Sequence, residues 1–161
     1  MIRQNATVPR IVFLRRYLAF VLMANLAWEI LHLPLYTIWQ EGNPKKLAWA
    51  VIHCTAGDLL IASGSLLLAV ILAGGRAWPL GRFIGVVATS IALGVSYTVW
   101  SEWLNTSVNA NWNYSEWMPI IPGIRVGLSP IAQWIVVPLL GFWWARRGLA
   151  SMKTGPPGIS K

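Results

Sequence analysis

The chain has 161 residues, of which 56% are hydrophobic and 11% charged. A soluble domain carries about 45–50% apolar and about 25% charged residues, so this composition excludes one and reads as an all-α integral membrane protein. The formal charge of +8 is spread in short clusters between apolar stretches rather than along one face, which argues against a nucleic-acid partner. The lone cysteine, Cys54, excludes an internal disulfide.

Hydropathy predicts four spans, over 17–39, 47–73, 83–104 and 127–145, each near the roughly 20 residues that cross a bilayer. The first follows Arg10, Arg15 and Arg16 but is too long for a signal peptide and lacks a small-residue cleavage site, so it reads as a retained anchor. It carries Asn25, Glu29, His32 and Tyr36 at spacings of four, three and four, one stripe of a helix. Pro34 removes a backbone donor and leaves the Ile30 carbonyl without its usual partner. Asn25 and Tyr36 read first as interhelical hydrogen-bonding groups. Glu29 beside His32 reads as functional, because an intramembrane carboxylate costs about 2.5–3.5 kcal/mol on insertion scales and usually marks a site.

A Gly42-Asn43-Pro44 turn leads to the second span, which holds His53, Cys54 and Asp58. Asp58 falls about 17 Å down the helix from Leu47, near the bilayer middle. His53 lies five positions before it, about 140° around the axis, and shares a face with Gly57 and Gly64. Cys54 reads as a small buried hydrophobe. After a Gly- and Pro-containing turn over 74–82, the third span ends with a Thr98, Glu102 and Asn105 stripe. The 105–126 loop is long for so small a bundle, and Trp112, Tyr114, Trp117 and Met118 argue for an ordered lid rather than a disordered link. The last span opens with Ser129 as a predicted N-cap, Pro130 at the first helical position and Gln133 one turn on, read as a helix–helix hydrogen bond in the same layer. Residues 1–148 thus form a single bundle, and 149–161, with Gly155-Pro156-Pro157-Gly158, read as a disordered cytoplasmic tail.

Basic residues set the expected orientation. With both termini inside, Arg3, Arg10, Arg15, Arg16, Arg76, Arg82, Arg146, Arg147, Lys153 and Lys161 are cytoplasmic, against Lys45, Lys46 and Arg125 outside. All five carboxylates (Glu29, Glu41, Asp58, Glu102, Glu116) and both histidines then fall towards the outer side, beneath the aromatic loop. The expected setting is a bacterial inner (plasma) membrane with the site facing the periplasm or exterior.

The candidate site follows. Glu29, Asp58 and Glu102 are the candidate catalytic carboxylates, and Asn25, Tyr36, Trp112, Tyr114 and Gln133 the candidate pocket. His32, His53, Glu29 and Asp58 make a plausible ligand set for a divalent zinc, iron or manganese ion. Glu29-x-x-His32 has the spacing of carboxylate-bridged di-metal bundles, though those supply two such pairs and this chain has one. Haem ligation by the two histidines is disfavoured by the surrounding carboxylates. The best-fitting function is a metal-dependent, membrane-embedded enzyme acting on a lipid or lipid-linked substrate. Its rivals are a proton- or cation-coupled carrier using Asp58 and Glu29, and a non-catalytic accessory subunit. Expected partners are the bilayer, a lipid-type or small-molecule ligand, and a homo-oligomer or larger membrane complex.

Overall fold

The computed structural model describes residues 7–153. Four long helices carry the architecture: α1 (Thr7–His32), α3 (Pro44–Ala69), α4 (Phe83–Trp103) and α5 (Leu128–Lys153), with a short α2 (Ile38–Glu41). Each is long and apolar enough to cross a membrane. Helix α1 packs on α3 and α5, and α4 packs on the same two, so α1 and α4 stand diagonally across a square. The outward faces remain apolar, with Leu31, Leu60, Leu72 and Ile84 all exposed, as a lipid-facing surface requires.

The first helix starts ten residues before the span that hydropathy marks. Arg10, Arg15 and Arg16 depress a hydropathy average, yet all three lie within α1. Two of them reach backbone carbonyls: Arg10 Nε donates to Trp78 O at 2.9 Å and Arg16 Nη2 to Trp144 O at 3.3 Å. Arg16 also lies over the Trp144 ring at 4.0 Å. The helix ends at His32 rather than near Trp39, because Pro34 cannot donate to the helical ladder and Leu33–Leu35 tighten into a 3-10 turn.

Helix α3 begins at an Asn43 cap, whose Oδ1 accepts from Lys46 N at 3.0 Å, with Pro44 opening the helix. It runs on through a π-helical turn, Val70–Gly74. Helix α4 likewise continues through a π turn, Leu104–Val108, so the connecting loop starts later than the sequence predicts. Helix α5 extends through Lys153, past the predicted start of a disordered tail. The rest of that tail, 154–161, lies outside the described residues.

The interior divides along the bundle axis. At the end bearing the start of α1 and the α3–α4 turn, Phe13, Tyr17, Trp78 and Phe142 form a buried aromatic core, with Phe13 and Trp78 edge to face at 5.1 Å. At the opposite end Asn25, Glu29, His32, Asp58, Glu102 and Gln133 are all buried. Gly94 lets α4 approach α5: a Cβ there would overlap the Trp134 ring.

The α4–α5 connection is ordered. It pairs β1 (Ile120–Ile121) with β2 (Val126–Gly127) in an antiparallel hairpin, and Tyr114 bridges to Tyr36. Ser115 N donates to Leu35 O at 2.9 Å, Ser115 Oγ to Pro34 O at 2.9 Å, and Thr37 N to Asn113 O at 3.0 Å. The loop therefore binds backbone groups of residues 34–37, just beyond the end of α1.

Candidate functional site

Asn25, Glu29 and His32 fall on one face of α1, as their spacing dictates, and that face turns inward towards α3 and α5. Their meeting point is Gln133 on α5. Its single amide nitrogen lies 3.1 Å from Asn25 Oδ1, 3.1 Å from Glu29 Oε1 and 2.9 Å from Asp58 Oδ2. Three helices are joined through one donor group, and two acidic side chains flank it. An amide nitrogen carries two protons, so three acceptors oversubscribe it.

The network continues along α1. His32 Nε2 lies 3.0 Å from Glu29 Oε2, and His32 Nδ1 lies 3.2 Å from Ser129 Oγ, which accepts from Trp28 Nε1 at 3.2 Å. A serine hydroxyl that accepts from the indole retains its own proton to give Nδ1. That choice leaves the imidazole proton on Nε2, directed at Glu29. Ser129, predicted to cap α5, instead turns its hydroxyl to α1. Both oxygens of Glu29 consequently have a donor.

Glu102 occupies a second part of the layer, on α4. Its Oε2 accepts from the Tyr114 hydroxyl, which itself accepts from Gly127 N at 3.0 Å. Burial and the adjacent Glu102 carboxylate push the Tyr114 hydroxyl above its ordinary range. Tyr36 is pushed well above its own by burial first and then by the Glu102, Tyr114 and Glu29 charges. Its ring meets His32 edge-on at 5.3 Å and Tyr114 at 5.6 Å, which links the Glu29–His32 side of the layer to the Glu102–Tyr114 side.

Thr55 is a functional candidate that sequence reasoning missed, and Thr98, read only as part of the Glu102 stripe, is a second. Both hydroxyls are buried without a hydrogen-bond partner, as is the indole N–H of Trp112. Thr55 precedes Asp58 by three residues and Thr98 precedes Glu102 by four, so each threonine shares its carboxylate's helix face. A polar residue one turn from an intramembrane acid is the signal that could have found them. Unsatisfied buried polar atoms are rare in folded proteins and call for an explanation.

The predicted four-ligand metal set does not assemble. His53 is exposed and lies against the Trp49 ring at 5.7 Å, as its 140° offset from Asp58 requires. Among the described residues, no three histidine, cysteine or acidic side chains come together to hold a metal ion. Compared with known proteins, the chain matches no family model, no curated protein and no solved structure.

Proposed function

We propose that this protein is a membrane-embedded enzyme that moves protons on a lipid or lipid-linked substrate, with Asp58 as acid and Glu29, held by His32, as its conjugate partner. The observation that carries this reading is the Gln133 nitrogen flanked by both carboxyl groups. Glu29 has a second donor in His32 Nε2 besides the Gln133 amide that it shares with Asn25 and Asp58. Asp58 has only the shared amide, without a second side-chain donor such as His32 gives Glu29, so a proton of its own completes the count. A carboxylic acid kept neutral in an apolar bundle is a general acid that can act on a group entering from the bilayer. Glu102 and Tyr114 supply a second carboxylate–phenol pair across Tyr36. The unpartnered Thr55 and Thr98 hydroxyls suit the polar end of a substrate.

In this reading the 105–126 loop covers the polar end of the bundle. The termini and the α3–α4 turn are cytoplasmic, and the site faces the outer side of a plasma membrane. A carrier reading draws on one feature, the gathering of the titratable groups Asp58, Glu29 and His32 in one buried layer, as intramembrane proton pathways require.

Two measurements test the proposal. Infrared difference spectra of purified protein should show a protonated carboxylic acid that disappears in Asp58→Asn and persists in Glu29→Gln. Membranes expressing the wild type should contain a lipid species missing from both variants, each of which remains folded because the amides fill the same space. An acid band that survives Asp58→Asn, or identical lipid profiles, would sink it. Proton flux into liposomes, lost in Asp58→Asn, would transfer support to the carrier. Elemental analysis of chelator-free protein is expected to find substoichiometric zinc, iron and manganese, and a stoichiometric metal lost in His32→Ala would restore the metalloenzyme.

A further inference from the structure

The opposite end of the bundle holds a feature that the acid layer does not use. A cavity of about 580 Å³ opens between α1 and α3, with Leu14, Leu18, Leu67 and Ile71 among its walls and Arg10 and Arg76 at its mouth. From Arg10 to Leu18 on α1, and from Ser63 to Ile71 on α3, it runs about 12 Å along the helix axes. Ser63 lines it, but its hydroxyl is committed to Leu59 O at 2.6 Å, so the walls offer nothing polar below the mouth. An apolar slot of this size, within helices long enough to span a bilayer, suits an acyl chain.

The mouth defines the other half of the ligand. Arg10 Nε donates to Trp78 O at 2.9 Å and Nη2 to Arg76 O at 2.7 Å, which fixes the guanidinium while leaving three of its five N–H groups uncommitted. Arg76 is exposed beside it. Neither is paired with a carboxylate: among the described residues the acid–base contact is His32–Glu29, at the far end of the bundle. Two uncompensated arginines, one already oriented by backbone carbonyls, favour an anionic phosphate. We infer that this groove binds an anionic glycerophospholipid, with one acyl chain between α1 and α3 and its headgroup phosphate on Arg10 and Arg76. Basic pockets between transmembrane helices are used in this way elsewhere.

Native mass spectrometry of the full chain in detergent, titrated with phosphatidylglycerol or phosphatidylcholine of matched chains, tests the inference. The wild type should retain one phosphatidylglycerol in preference to phosphatidylcholine by about thirtyfold, the order expected of two surface arginines. The R10Q/R76Q variant should lose that preference, whereas R146Q/R147Q, which removes equal charge from the same end, should keep it. L67W fills the slot from an exposed position, so it should fold and also lose the bound lipid. Equal retention of both lipids by the wild type would overturn the proposal. So would a preference that survives R10Q/R76Q or L67W, or one lost equally in R146Q/R147Q, since unspecific charge would then account for it.

Discussion

Gln133 is where a single side chain decides whether three others can stay buried. Leucine at this position keeps the volume and removes both donors, leaving acceptors on Asn25, Glu29 and Asp58 short of partners. Each unsatisfied buried group costs about 1–3 kcal/mol, so Gln133→Leu should lower unfolding free energy in detergent by about 3 kcal/mol or more. Adding Asp58→Leu should recover part of that loss, because removing both partners of a buried bond is nearly neutral. A double variant no more stable than the additive expectation would show that Gln133 does not serve Asp58. Tyr114 gives a prediction in pH. Its hydroxyl is raised by burial and by Glu102, so its neutral form is favoured in the folded state. That contribution is fully present below the ordinary phenol value of about 10 and fades as pH climbs beyond it. Tyr114→Phe should be the less stable protein at pH 8, and the gap should narrow above about pH 10 in thermal melts. A gap constant across that range would mean that burial and Glu102 do not hold the phenol in its neutral form. At this scale the sequence was legible where residues share a helix: Asn25, Glu29 and His32 follow from spacing alone. Gln133 as a three-way donor, Ser129 turned to α1, and His53 turned outward against Trp49 depend on how the helices are placed around one another.

Among the elements, α4 and α5 meet where Gly94 faces the Trp134 ring, with no room for even a methyl group. Gly94→Ala should destabilise by about 1–3 kcal/mol through overpacking, despite alanine's better helix propensity. The cost should shrink when Trp134 is also changed to leucine, a coupling that a double-mutant cycle in detergent would measure. Independent costs would separate the two helices at this point. Three of the four spans are readable from hydropathy because their charges lie at the ends or are few. The start of the first is not, since a window that counts Arg10, Arg15 and Arg16 as polar cannot know that Arg10 and Arg16 reach carbonyls of the α3–α4 turn and α5. Its far end was misplaced for a different reason. Tyr36 continues the sequence stripe, but Pro34 ends the helix first, and Tyr36 reaches His32 from a separate turn, beside Tyr114. The ties of the loop at Ser115 and Asn113 had no sequence signal, because backbone partners carry no side-chain signature.

For the whole molecule, charge and chemistry segregate to opposite ends, and the two asymmetries have different causes. Arg10, Arg15, Arg16, Arg76, Arg82, Arg146 and Arg147 lie with the aromatic core, while Lys45, Lys46 and Arg125 lie with the acid layer. Insertion machinery reads such a basic excess and largely ignores acidic residues, so in the proposed orientation, with the arginine-rich end in the cytoplasm, the arginines alone account for how the bundle sits. The carboxylates need another reason for gathering at the other end, and the Gln133 network supplies it. The orientation can be measured without knowing the substrate. In a Cys54→Ala background, a thiol at Asn109, exposed after α4, should react with an impermeant maleimide on intact cells. One at Ala77, exposed in the α3–α4 turn, should react only once the membrane is opened. The reverse pattern would place Asp58 nearer the cytoplasmic face. It would also set Arg10 and Arg76 against the leaflet poorer in anionic lipid, contrary to the charge distribution that the groove was argued to read.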